Sequence, residues 1–200
     1  MKAFQIASEW IWRLMLTNFL WIGYTLIGIG VFGFMPATVS LFTVTRRWIK
    51  GDTEFSVWQV FKETYKKEWM NSNKAGLIFA LIATFLFIDL RIANYMQGLF
   101  SVFLYIFFVF LFFVLFMTVI FFFPLYVQYT FSMKEYIKQS FFHSIVSIKD
   151  TLVIILGLLF IAYIFKQWPG LLLFMGGVIP SLWISFICKT RFKKLEEENR

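Results

Sequence analysis

Groups able to do chemistry are few in this 200-residue chain and widely spaced. Cys188 is the single cysteine and His143 the single histidine. One cysteine excludes an internal disulfide framework and a cysteine metal site, and one histidine weakens any case for a histidine cluster. The remaining polar candidates lie at the ends of apolar stretches: Asp89, Arg91 and Asp150. With His143, they are the groups that an intramembrane enzyme acting on a lipid or polyprenyl carrier would need at the headgroup level. They match no known constellation, and Asp89 and Arg91, two apart, point to different helix faces. There is no Gly-Lys-Ser/Thr phosphate loop, no His-Glu-x-x-His and no Gly-x-Ser-x-Gly. No acid falls inside the apolar runs, where a proton or ion path would need one. The reading is therefore of a protein that is not an enzyme, with no catalytic, metal-binding or cofactor-binding residue and no cofactor. His143 reads as an interfacial or packed side chain, and Cys188 as a small apolar filler at a helix end.

Composition sets the class. The chain is 60% hydrophobic and 15% charged, with a mean hydropathy of +0.75 and 29 phenylalanines. A water-soluble domain of this size cannot bury that much apolar surface, so lipid is its solvent. The net charge of +8 then bears on which side of the membrane the cations occupy rather than on nucleic acid. The expected architecture is all-α: one membrane domain over residues 1–200, a polytopic helical bundle of about five spans. Spans are expected near 17–44, 75–92, 99–126, 151–165 and 170–188, with an interfacial helix over 1–16 and an amphipathic helix near 54–70. The N-terminus shows no apolar run ending in a small-residue cleavage site, so no cleaved signal peptide is expected.

The first of these runs is too long for a simple crossing. At about 1.5 Å per residue it approaches 40 Å, against a hydrocarbon core of about 30 Å. It must tilt, bend at Pro36, or fold back as a re-entrant hairpin broken near Gly33–Pro36, which would move the N-terminus to the other side. Gly23, Gly30, Gly33, Ala37 and Ser40 recur at helical spacing and, with Pro36, define a small-residue face for close helix packing or for a partner. Phe55, Trp58, Phe61, Tyr65 and Trp69 form an aromatic stripe on a helix whose other side is charged. Such a stripe lies on a membrane surface, packs on its own bundle, or docks a partner. Asn71-Ser72-Asn73 offers caps for the start of a separate second span.

Cations are asymmetrically placed. Seven lie in 45–74 (Arg46, Arg47, Lys50, Lys62, Lys66, Lys67, Lys74), three in 127–150 (Lys134, Lys138, Lys149) and five in the tail (Lys189, Arg191, Lys193, Lys194, Arg200), against Arg91 and Lys166 in the opposite turns. The positive-inside rule puts the first three regions, and so the C-terminus, in the cytoplasm.

The motif Asn18-x-Leu20-Trp21, then Gly28, Phe32-Gly33-Phe34-Met35-Pro36-Ala37-Thr38, Arg47-Trp48 and Gly51 resembles the YesL family of small bacterial multi-pass membrane proteins, a domain of unknown function. The motif-bearing match covers roughly 10–85. Members of that family are often encoded beside carbohydrate-uptake ABC transporters and glycan-degrading enzymes. The resemblance implies a bacterial cell-membrane protein with an accessory or regulatory role in carbohydrate uptake, partnered by the bilayer and by ABC-transporter membrane subunits or a second copy of itself. A small transporter or facilitator is the alternative. The family supplies no catalytic residues.

Overall fold

The structure, a computed structural model, describes residues 2–198, with side-chain surroundings for 4–190. All regular structure among them is helical: α1 (Lys2–Ile27), α2 (Val31–Ile49), α3 (Val57–Tyr95), α4 (Leu99–Gln128), α5 (Met133–Val146), α6 (Ile148–Gln167), α7 (Pro169–Met175) and α8 (Val178–Glu198). Tail side chains from Arg191 onward, four of the five tail cations among them, lie outside the described residues. Three helices are long and apolar enough to cross a membrane, α3, α4 and α6. The consecutive pair α7 and α8, bent by 65°, makes a fourth crossing if it is one broken span.

The chain divides into two compact units, residues 1–72 with 149–200, and residues 73–148. In the first, α1 and α2 pack against each other as an antiparallel hairpin. Trp10 meets Trp48 edge to face with ring centroids 5.6 Å apart, and the Trp21 indole donates to the Thr38 hydroxyl at 3.1 Å. Of the courses open to 17–44, the chain folds back, so two helices stand there instead of one. The reversal occurs at Gly28-Ile29-Gly30, earlier than Pro36, because Ile29 and Gly30 take φ of 59° and 72°. Such values end a right-handed helix. Pro36 sits in the second turn of α2, where its missing N–H removes one bond to the first turn and the helix continues. Leu20, Ala37, Leu41, Val44, Trp48, Val57, Phe61, Tyr65 and Val178 form the buried apolar centre of this unit.

The amphipathic helix and the second span are one helix. α3 runs unbroken for 39 residues through Asn71-Ser72-Asn73. A cap is a local preference worth about 1 kcal/mol, and continuous helix on both sides outweighs it. In the second unit, α4 and α5 pack together around Phe122, which is fully buried against Phe79, Phe123, Tyr126 and Tyr136. A capping box starts α5: the Ser132 hydroxyl accepts from the Glu135 N–H, and the Glu135 carboxylate accepts from the Ser132 N–H. The outer part of α4 is left bare, with Leu99, Phe100, Phe103, Ile106 and Phe110 exposed. A helix apolar on all sides and exposed over half its length is suited to lipid contact.

Candidate functional site: a buried polar seam at Asn18

The most organised polar constellation lies in the first unit and centres on Asn18, which is completely buried. An amide enclosed among apolar residues must pair both of its ends. Its Nδ2 donates to the carbonyl of Leu173 at 2.7 Å, near the end of α7. Its Oδ1 accepts from the N–H of Gly177 at 2.8 Å and of Val178 at 3.3 Å, at the start of α8. The break between α7 and α8 exposes backbone groups that have no partner within their own helix. Asn18 supplies both a donor and an acceptor to that break. Trp21, one turn further along α1, lies close against Gly177, where a Cβ would stand 2.8 Å from the ring. Glycine at 177 is therefore required by close approach, and the helix is interrupted at Gly176-Gly177 within the expected 170–188 span.

The seam continues along the hairpin. The Thr38 hydroxyl that accepts from Trp21 donates in turn to the Phe34 carbonyl at 2.7 Å. At the closed end, Gly28 and Gly33 touch: a Cβ on Gly33 would lie 2.4 Å from the Thr25 carbonyl oxygen and 2.7 Å from that of Tyr24. The Tyr65 hydroxyl donates to the Tyr24 carbonyl at 2.9 Å, fastening α3 over the turn. At the open end, Arg13 donates to the Thr53 carbonyl at 2.8 Å and pairs with Glu9, and the Lys189 ammonium donates to the Ile49 carbonyl at 2.6 Å. That last contact satisfies a terminal carbonyl of α2 and places a cation at the negative end of its dipole.

The residues singled out by spacing separate into groups. Of the small-residue set, Gly33, Pro36, Ala37 and Ser40 are buried on α2, with the Ser40 hydroxyl donating back to the Pro36 carbonyl. Gly23 faces open space and Gly30 belongs to the turn, so neither lies on that packed face. Of the aromatic set, Phe61 and Tyr65 are buried in the unit's core, and Phe55 is half-buried beneath the Arg47 guanidinium. Trp58 and Trp69 remain exposed. The polar candidates Asp89 and Arg91 lie on α3, His143 on α5 and Asp150 on α6. Arg91 stacks over Phe87 and Tyr95, and no ion pair joins it to Asp89 among the described residues. No group of three His, Cys, Asp or Glu able to hold a metal occurs among the described residues.

Residue spacing alone does not single out Asn18. An amide inside an apolar run is itself a signal, since a polar side chain buried among apolar ones needs a partner. Its partners, however, lie more than 150 positions away along the chain.

Fold and apolar helices together define an all-helical membrane-embedded protein. Residues 14–90 match the family described as "Protein of unknown function, DUF624". The chain is 36% identical to the uncharacterized protein YesL of Bacillus subtilis (strain 168) over 94% of its own length and 88% of that protein's. It is also 36% identical to the uncharacterized protein YteU of the same organism, over 90% of this chain and 77% of that one. To a third, YesV, it is 27% identical over 91% and 88%. No solved structure matches. The chain belongs to the YesL-like DUF624 family. Asn18, Trp21, Gly28, Gly33 and Thr38, which carry the motif, are the residues that build the seam.

Proposed function

We propose that the protein is a non-enzymatic multi-pass protein of the bacterial cell membrane that serves as an accessory or regulatory partner of a carbohydrate-uptake, ABC-type system. The observation that carries this reading is the division of labour on the first half of α3. Phe61 and Tyr65 are consumed by the protein's own core, while Trp58, Trp69 and Met70 stay exposed on a helix that also presents Lys62, Lys66 and Lys67. Exposed aromatic and methionine side chains with basic neighbours have the composition of a protein-docking patch. The family resemblance supplies the transport context. Charge bias supports a cytoplasmic position for this patch and for the C-terminus. Because the hairpin brings Trp10 beside Trp48, the same bias extends to the N-terminus.

The test is photo-crosslinking in native membranes, with the reactive residue placed at Trp58, at Trp69 and, as a control, at Leu81 on the apolar half of α3. Membrane subunits of an uptake system captured at the two tryptophans and absent at Leu81 are the expected result. Capture of only a second copy of this chain, or of nothing above background, overturns the reading. Engineered cysteines near Lys66 should react only with reagents that enter the cell.

A facilitator is the second reading, favoured by the broken α7–α8 pair, since discontinuous helices line substrate paths in transporters. Saturation of that break by Asn18 weighs against it. Solute flux into liposomes holding this protein alone distinguishes the two.

A further inference from the structure

Within the second unit, α3, α4 and α5 enclose a groove of about 580 Å³. Its floor is apolar, built largely from Phe79, Ile82, Leu86, Leu111, Val114 and Ile137. Its only charged lining residues are Lys134 and Lys138. Four apart on α5, they share one helix face. Both are exposed, and no carboxylate pairs with either among the described residues. The neighbouring acid, Glu135, is engaged by the Ser132 N–H and hydroxyl at 3.4 and 3.3 Å in the capping box. Lys134 also stands in the first turn of a 14-residue helix, where the backbone dipole favours an anion. A neighbouring groove of about 530 Å³, lined by Ala80, Ala83, Phe112 and Phe116 among others, carries no charged residue at all.

We propose that the basic-edged groove binds one anionic phospholipid, with an acyl chain along the apolar floor and the phosphate between the Lys134 and Lys138 ammonium groups. The two halves of the site demand opposite chemistry, and an anionic amphiphile supplies both. A soluble anion leaves the floor uncovered. An apolar partner helix would strip water from two unpaired ammonium groups, which is costly. Lysine stems can lie along the apolar wall while their heads reach the headgroup layer. Tyr126 and Tyr136, whose rings are 4.7 Å apart on α4 and α5, have the amphipathic character of residues at that level.

The test is native mass spectrometry of the full chain in detergent, titrated with phosphatidylglycerol or phosphatidylcholine. Each lysine near an anionic headgroup contributes roughly fivefold, so the first phosphatidylglycerol should bind about 25-fold more tightly than phosphatidylcholine. The double variant Lys134→Gln/Lys138→Gln should bring the two lipids level without changing the circular dichroism spectrum or Tm. Val114→Phe, which fills the floor, should weaken both lipids. Ala83→Phe in the uncharged groove, and Lys62→Gln/Lys66→Gln on the first half of α3, should leave the preference intact. A phosphatidylglycerol preference that survives loss of both lysines, or one abolished equally by Lys62→Gln/Lys66→Gln, overturns the proposal.

Discussion

The two units hold themselves together by different means. In the first, the decisive contacts are polar and directional: Asn18 to the α7–α8 break, Trp21 to Thr38, Tyr65 to the Tyr24 carbonyl, Lys189 to the end of α2. In the second, the centre is a cluster of aromatic rings about Phe122, with hydroxyls mostly bonded back along their own helices, as Thr118 is to Val114 and Ser140 to Tyr136. Helices in lipid gain little from apolar burial against one another, so packing and hydrogen bonds must supply the specificity. The first unit uses hydrogen bonds to its broken backbone, and the second uses fit between large rings.

That contrast can be broken experimentally. The largest effect is expected in the second unit. Phe122→Ala empties a fully buried ring site and should cost about 3–5 kcal/mol, read as a fall in unfolding midpoint of the purified protein. Phe122→Leu keeps most of the apolar volume and should cost clearly less. The first unit should respond in the reverse sense to shape and polarity. Asn18→Leu nearly conserves volume, yet strips partners from the Leu173 carbonyl and the Gly177 and Val178 N–H groups. About 2–3 kcal/mol should be lost, with faster hydrogen exchange at Gly177 and Val178. A loss below 1 kcal/mol would remove the distinction between the units. Gly33→Ala forces a methyl against two backbone carbonyls and should cost about 1–3 kcal/mol. Gly23→Ala, on the same hairpin but facing open space, should stabilise by about 0.5–1 kcal/mol, and the pair of opposite signs locates the contact face by Tm alone. Smallest, Ser132→Ala removes the cap of α5 at about 1 kcal/mol.

How much of this was readable beforehand follows from where each signal resides. α4 and α6 are visible as apolar runs because lipid selects composition along the whole segment. The place of the fold-back is hidden for the same reason: the reversal, Gly28-Ile29-Gly30, contains no polar turn residue, so hydropathy passes over it. Pro36 drew the expected bend to the wrong place. The Asn71-Ser72-Asn73 caps suggested a helix boundary that continuous α3 overrides. Small residues at Gly33, Ala37 and Ser40 were identifiable by period, but Gly23 and Gly30 share the spacing without sharing the contact. Asn18 stands out in the sequence only within the family motif, and nothing local names Gly177 as its partner.

The Asn18 contact also constrains how the chain can mature. A ribosome delivers Asn18 long before the backbone groups that complete it, 155 to 160 positions later. At roughly 5–20 residues per second, the amide waits on the order of 10–30 s for its partners. Residues 73–148 emerge entirely within that interval and can close their own aromatic cluster first. A chain truncated before Leu173 would leave the Asn18 amide without its carbonyl acceptor and without both of its N–H donors.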